Sequence, residues 1–186
     1  MLGTPFDFFV QLHLTESCNL SCRHCYQSEA VSEMNYQELC GVIAEIKRTI
    51  EGWATDYDMD VSPSLHLTGG EPLLRSDLFS LLGYAWGCGF SMSVMSNGTL
   101  IDGEVAKRMS EAQVSDVQIS LDGLESTHDS LRGERSFRRA VEGIENLVTE
   151  GVETNINLTL SRLNFHEAEE LVQLGDDLGV SGLAFS

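Results

Sequence analysis

Phe90-Ser-Met-Ser-Val-Met-Ser-Asn-Gly-Thr-Leu-Ile-Asp-Gly-Glu-Val-Ala-Lys-Arg-Met-Ser-Glu-Ala-Gln-Val-Ser-Asp-Val-Gln-Ile-Ser-Leu-Asp-Gly123 reads as one strand–helix–strand unit. Phe90 to Met95 is a strand closed by the turn residues Ser96-Asn97-Gly98. Asp102 or Gly103 to Ala112 has helical spacing, and Val114 to Leu121 is a second strand ended by Asp122-Gly123. A helix between two strands makes a crossover, so the strands run parallel.

The alternation extends in both directions. Upstream, Phe8 to Leu14 reads as a strand and Met34 to Ile50 as a helix, with apolar positions Leu39, Val42, Ile43, Ile46 and Ile50. Leu65 to Thr68 is a short strand running into Gly69-Gly70, and Asp77 to Trp86 a helix stopped by Gly87 and Gly89. Trp53 to Pro63 reads as an acidic, turn-rich insertion. Downstream, a loop with His128, Arg132 and Gly133 leads to a helix over Ser136 to Thr149. Thr154 to Leu160 is a strand, Phe165 to Leu178 a helix with Asn164 as its N-cap, and Val180 to Phe185 the last strand. Six strands and five intervening helices predict an α/β fold with right-handed crossovers.

Six strands are too few for a closed eight-stranded barrel. They suit a curved, partly open barrel of parallel strands or a doubly wound sheet. The last strand ends at Ser186 with no helix behind it, although parallel strands are normally covered. That points to a fragment of a longer polypeptide, the alternatives being a covering partner chain or a minimal protein.

At 186 residues the chain is read as one domain, residues 1–186. Eleven basic against 29 acidic side chains leave a net charge of −18, which argues against nucleic acid as the main partner. No apolar run approaches the roughly 18 residues of a membrane span, and Met1-Leu-Gly-Thr-Pro-Phe-Asp7 does not read as a signal peptide. A cytoplasmic location is the default expectation.

Five cysteines are present, and Cys18, Cys22 and Cys25 crowd into Thr15-Glu-Ser-Cys-Asn-Leu-Ser-Cys-Arg-His-Cys-Tyr26, just after the first strand. Clustered thiols in an odd-numbered set point to metal rather than disulfides. Structural zinc would need a fourth ligand, His24 or the more distant His13. A [4Fe–4S] cluster held by three thiolates leaves one iron open. Cys40 falls on a helical apolar pattern and Cys88 at a turn, and both read as small core hydrophobes.

The other chemistry-bearing segments share one position in the fold. Gly69-Gly-Glu-Pro72 follows the second strand, Ser96-Asn97-Gly98 the third and Ser120-Leu-Asp-Gly123 the fourth. Carboxyl ends of parallel strands meet at one rim, where α/β sheets and barrels hold ligands. Glu71 and the glycine carbonyls offer acceptors for an ammonium group, and Ser120 and Asp122 suit a ribose diol. Arg132 could clamp a carboxylate. Asn157 and Thr159 on the fifth strand face either the rim or the core.

Together, Cys18-x3-Cys22-x2-Cys25 and Gly69-Gly-Glu-Pro72 resemble the radical S-adenosylmethionine (radical SAM) superfamily across nearly the whole chain. The resemblance implies a partial, open (β/α)6 barrel of TIM type, here lacking its last helix. It implies an enzyme whose [4Fe–4S] cluster and S-adenosyl-L-methionine yield a 5′-deoxyadenosyl radical that abstracts hydrogen from substrate. Carried over by position, Cys18, Cys22 and Cys25 would ligate iron, and Gly69, Gly70, Glu71 and Pro72 would form the site for the methionyl amino group. Ser96, Asn97, Ser120 and Asp122 would meet the ribose or carboxylate, and Arg132 the carboxylate. His24 stands where the family often has an aromatic near adenine.

The fuller pattern, with Gly-Gly-Glu-Pro-Leu-Leu-Arg75, is similar to the branch that often carries a C-terminal SPASM or twitch extension. This implies peptide or protein maturation on a peptide or small-molecule substrate, with a flavodoxin- or ferredoxin-type electron donor. Cofactor or haem biosynthesis is the alternative. Two rival readings remain: a non-catalytic zinc or iron–sulfur binding module, and an α/β nucleotide-binding enzyme, for which no G-x-G-x-x-G or Walker signature is present.

Overall fold

A computed structural model describes residues 5–26 and 32–186. Residues 1–4 of the N-terminal stretch considered above therefore lie outside the described residues.

Among the described residues there are six strands: β1 (Phe6–His13), β2 (Val61–Thr68), β3 (Ser91–Ser96), β4 (Asp116–Ser120), β5 (Thr154–Leu158) and β6 (Gly182–Phe185). They lie in the order β1-β2-β3-β4-β5-β6, and every neighbouring pair is parallel. This order separates the two architectures left open by sequence. A doubly wound sheet reverses direction from its middle strand, whereas right-handed crossovers that always step the same way keep the helices on one face. The sheet curls around the other face as an open half-barrel, a partial TIM-type fold.

The helices are α1 (Tyr36–Asp56), α2 (Leu78–Gly87), α3 (Gly103–Glu111), α4 (Glu125–Arg132), α5 (Ser136–Thr149) and α6 (Ala168–Leu178), with short 3-10 turns at Pro72–Leu74 and Phe165–Glu167. Asn35 starts α1: its side chain accepts from Gln37 N and Glu38 N, while Glu38 accepts from Asn35 N at 2.8 Å. Such a reciprocal cap satisfies orphan donors of the first turn. Asp102 caps α3 through Val105 N at 2.8 Å.

Several expected boundaries move. The segment holding His128 and Arg132 is not a loop but α4, so six α-helices rather than five are present among the described residues. Its apolar positions are sparse, and one buried face, His128 and Leu131, suffices to dock it. The supposed insertion at Trp53–Pro63 is mostly the end of α1 and the start of β2; acidic residues there occupy exposed positions that do not interrupt either element. Asn164 caps no helix. It is fully buried, and its Nδ2 donates to Asp122 O and Thr159 O, tying together the ends of β4 and β5.

The core lies between the helices and the convex face of the sheet. Leu65, Leu67, Met92, Val94, Val117, Ile119, Ile156 and Leu158 on the strands are buried, facing Leu39, Ile43, Leu81, Met109, Ile144 and Leu171 from the helices. Burying each such side chain contributes about 2 kcal/mol against conformational entropy. Cys40 and Cys88 pack against this core. Among the described residues no helix is long and apolar enough to cross a membrane.

Candidate active site

The loops after β1, β2, β3 and β4 meet at one end of the half-barrel, around a cavity of about 330 Å³. Cys18, Cys22 and Cys25 line it together with Gly69, Gly70, Ser96, Asn97, Ser120 and Arg132. So do His24, Asn157 and Thr159. Glu71, Pro72 and Asp122 do not line it, and Glu71 and Asp122 are almost completely buried behind it.

Glycine at 69 and 70 is required by the cysteine loop. Gly70 N donates to Thr15 O at 2.6 Å and Glu71 N to Ser17 O at 2.8 Å. A Cβ on Gly70 would stand 2.2 Å from Ser17 O, and one on Gly69, whose φ is 146°, would stand 2.5 Å from Thr15 O. Only a bare backbone lets the loop descend this far. Arg75 adds a second tie: its guanidinium is held bidentately by Asp77 and donates to Leu14 O and Met34 O, bracketing both sides of the loop.

Most of the polar side chains that stand out in the sequence bond one another. Glu71 Oε1 accepts from Ser96 Oγ at 2.9 Å and from Leu73 N at 3.2 Å, and Oε2 accepts from Asn97 N at 2.8 Å. Burial pushes the Glu71 carboxyl above its usual range, and these donors oppose the shift. Pro72 opens the 3-10 turn that Glu71 caps. Asn97 Nδ2 donates to Asn19 Oδ1 at 2.9 Å and lies 3.9 Å from Cys18 Sγ, while Thr99 donates to Asn97 Oδ1.

Asp122 makes a second knot. Its Oδ2 meets Arg132 Nε and, at 3.2 Å, His24 Nε2; its Oδ1 accepts from Thr159 N at 3.0 Å. Its backbone N–H donates to His128 Nδ1 at 3.1 Å. Burial and the Arg132 charge together lower the His128 pKa from 6.5 to about 4, which keeps the imidazole neutral and able to accept that bond. Arg23 N donates to Leu131 O, pinning the cysteine loop to α4 as well. Asn19, Thr99, His128 and Asn164 were not singled out for these roles. Short polar residues around a turn carry no pattern that separates a brace from a solvated loop.

All five cysteines are free. Burial raises the Cys22 thiol above its usual pKa, the Arg132 charge opposes this, and Cys18 and Cys25 raise it further. Leu20 N donates to Cys18 Sγ at 3.4 Å, and N–H donors to sulfur are among the groups that tune iron–sulfur potentials. Among the described residues no three His, Cys, Asp or Glu side chains form a group suited to one metal ion. Three thiols of a cubane bind three different irons, so they ring a volume rather than a point. The donor set thus fits the cluster: three soft thiols, free, on one cavity wall.

The description of the Radical SAM superfamily matches residues 12–175. The chain belongs to the radical SAM superfamily. It is 36% identical over 181 residues to an AdoMet-dependent heme synthase of Oleidesulfovibrio alaskensis, covering 96% of this chain and 45% of that protein. It is 32% identical over 173 residues to the mycofactocin maturase MftC of Mycobacterium ulcerans, covering 90% of this chain and 44% of that one. The chain thus spans a little under half the length of the curated relatives it matches. Among solved structures, native anSMEcpe with bound AdoMet superposes with a TM-score of 0.77 at 22% identity, covering 97% of this chain and 51% of that one, which supports the fold. As a radical SAM enzyme core, the chain inherits from the family the expectation of a [4Fe–4S] cluster and S-adenosyl-L-methionine.

Proposed function

We propose that Cys18, Cys22 and Cys25 hold a [4Fe–4S] cluster and that S-adenosyl-L-methionine binds in the adjoining cavity, for hydrogen abstraction from a peptide substrate. The observation that carries this reading is the meeting of three free thiols with Gly69, Gly70, Ser120 and Arg132 on one cavity at the carboxyl ends of parallel strands. When bound, the two cofactors would supply one-electron chemistry, the reduced cluster giving the electron that cleaves a carbon–sulfur bond of the sulfonium to a thioether and a carbon-centred radical.

The chain's own residues divide the work. The three cysteines ligate; the Gly69–Gly70 backbone, Ser120 and Arg132 meet the methionyl and ribose groups. Glu71, Pro72, Ser96, Asn97 and Asp122 hold the loops that present them.

For the substrate, peptide maturation is favoured by the charge of the cavity. Arg132 is the single Lys or Arg among its lining residues, and its Nε is engaged by Asp122. A substrate with several carboxylates would call for more cations than this. The 36% identity to a heme synthase favours a second reading, action on a tetrapyrrole.

Anaerobic reconstitution with iron and sulfide tests the core proposal. The expected result is a brown protein carrying about four irons, releasing 5′-deoxyadenosine when dithionite and S-adenosylmethionine are added. Stoichiometric zinc with no such product would overturn it in favour of a binding module.

A further inference from the structure

The cations of this acidic chain are unevenly placed. Among the described residues, Lys47, Arg48, Arg75, Lys107, Arg132 and Arg138 each pair with a carboxylate. Arg108 stacks over the Phe79 ring at 3.7 Å. Arg23, Arg135, Arg139 and Arg162 have no carboxylate partner among the described residues, and all four are exposed. They lie at the carboxyl end of the sheet: Arg23 between Cys22 and Cys25, Arg135 and Arg139 where α4 turns into α5, and Arg162 on the loop after β5.

The first three flank the cysteine loop. Arg23 N donates to Leu131 O at 2.8 Å, which lays that loop against the last turn of α4. Arg135 follows three residues after Arg132, which lines the cavity, and Arg139 Nε donates to Arg135 O at 3.3 Å. Of the acids between Gly123 and Ala140, Glu125 is paired with Arg138, and Asp129 accepts from Arg135 N and Phe137 N at 2.7 and 2.9 Å. Exposed Glu134 is the remaining one. Local stability does not explain these arginines. Cations at a helix N-terminus oppose the macrodipole, yet Arg135 is the N-cap of α5, with Arg138 and Arg139 one turn on and no acid in the first turn. Arg135 also holds a left-handed backbone, φ 62°, which side chains adopt at a cost.

We propose that Arg23, Arg135 and Arg139 form the docking surface for an acidic one-electron carrier protein. This rests on the cofactor assignment above, under which sulfonium cleavage takes an electron from outside the chain. The carrier gives up one electron and leaves oxidised, the protein is reduced by one electron, and no bond forms or breaks between the two. Charge complementarity selects the partner and its orientation. At physiological salt fields are screened within about 8 Å, so an approaching acidic face responds to these arginines and not to the net −18 of the whole chain. On α6, Glu169, Glu170, Asp176 and Asp177 stand without a Lys or Arg and repel the same face.

The test uses the reconstituted full-length protein with two reductants: an acidic flavodoxin, reduced beforehand, and dithionite, which needs no docking surface. Flavodoxin binding is read by biolayer interferometry, and 5′-deoxyadenosine release is followed with each reductant. Arg135→Glu with Arg139→Glu should lower flavodoxin binding and flavodoxin-driven release about tenfold and flatten their salt dependence. The milder Arg135→Gln with Arg139→Gln should cost about threefold. Iron content, S-adenosylmethionine binding and dithionite-driven release should stay at wild-type levels in both, and Lys107→Glu on α3 should change nothing. Equal flavodoxin-driven rates in wild type and the charge-reversed variant would overturn the docking surface. So would an equal fall in Lys107→Glu, which would assign the effect to net charge. Binding of a single-stranded RNA oligonucleotide that depends on these arginines, with none of flavodoxin, would overturn it in favour of a nucleic-acid partner. Failure of the cofactor assignment is separate: wild type would then take up no cluster and release no product with dithionite.

Discussion

Asp122→Asn distinguishes a brace from a ligand contact. The carboxylate is 1% exposed and accepts from Arg132 Nε and Thr159 N, with His24 Nε2 3.2 Å from the same oxygen as Arg132, so both oxygens are committed. In asparagine one oxygen can still accept from Thr159, but the new amide N–H2 then faces the Arg132 and His24 donors. Removing one partner of a buried ion pair costs about 3–5 kcal/mol. Arg132 keeps 13% exposure and can recover some hydration, so the low end, about 3 kcal/mol, applies. With a urea slope of about 2 kcal/mol per molar, the apoprotein midpoint should fall by about 1.5 M. Iron uptake should fall too, because the His24–Asp122 contact holds the segment between Cys22 and Cys25. Adding Arg132→Gln should cost less than the sum of the two single changes, by about 1 kcal/mol or more. The reasoning is refuted if the variant unfolds like wild type while its S-adenosylmethionine affinity drops tenfold. That outcome would make Asp122 a cofactor contact.

Cys22→Ala should abolish cluster assembly, whereas Cys40→Ala should keep full iron content and cost on the order of 1 kcal/mol of packing, read by iron analysis and thermal melts. Gly70→Ala forces a methyl to within 2.2 Å of Ser17 O, so iron loading should collapse, while Gly83→Ala, with nothing within 4 Å at an exposed position of α2, should be neutral or stabilising by about 0.5–1 kcal/mol. For His128, a folded pKa of about 4 against 6.5 unfolded means its contribution is complete above pH 6.5 and is lost as pH falls toward 4. Between pH 7 and 4.5 this amounts to about 2.5 kcal/mol, and His128→Gln should remove that part of the acid sensitivity in urea titrations; an unchanged acid loss would contradict a neutral, buried imidazole.

The strand–helix alternation was legible because its signal is local: a period of two or 3.6 survives without any tertiary information. Boundaries were less so. β2 starts at Val61 and not Leu65 because Val61-Ser-Pro-Ser64 has weak strand character of its own and is drawn in by pairing with Phe6 to Phe9. α4 was missed for the same reason in reverse, since Glu125-Ser-Thr-His-Asp-Ser-Leu-Arg132 is polar and short, and its docking supplies the stability. The spacing of the three cysteines and the glycine pair marked the place of the site. Which polar groups near it are already spent could not be read, because each partner comes from a different strand end.

Sequence alone determined the family pattern, the parallel α/β class and the rim on which the thiols would lie, since spacing, periodicity and chain direction are properties of the chain itself. Tertiary structure decided that the sheet steps one way into a half-barrel. It also turned Glu71 and Asp122 inward to brace the loops and left Asn157 Oδ1 buried without a partner. Several of the deciding partners are far apart along the chain, from Glu71 and Ser96, 25 positions apart, to His24 and Asp122, 98 apart, and only folding brings those together.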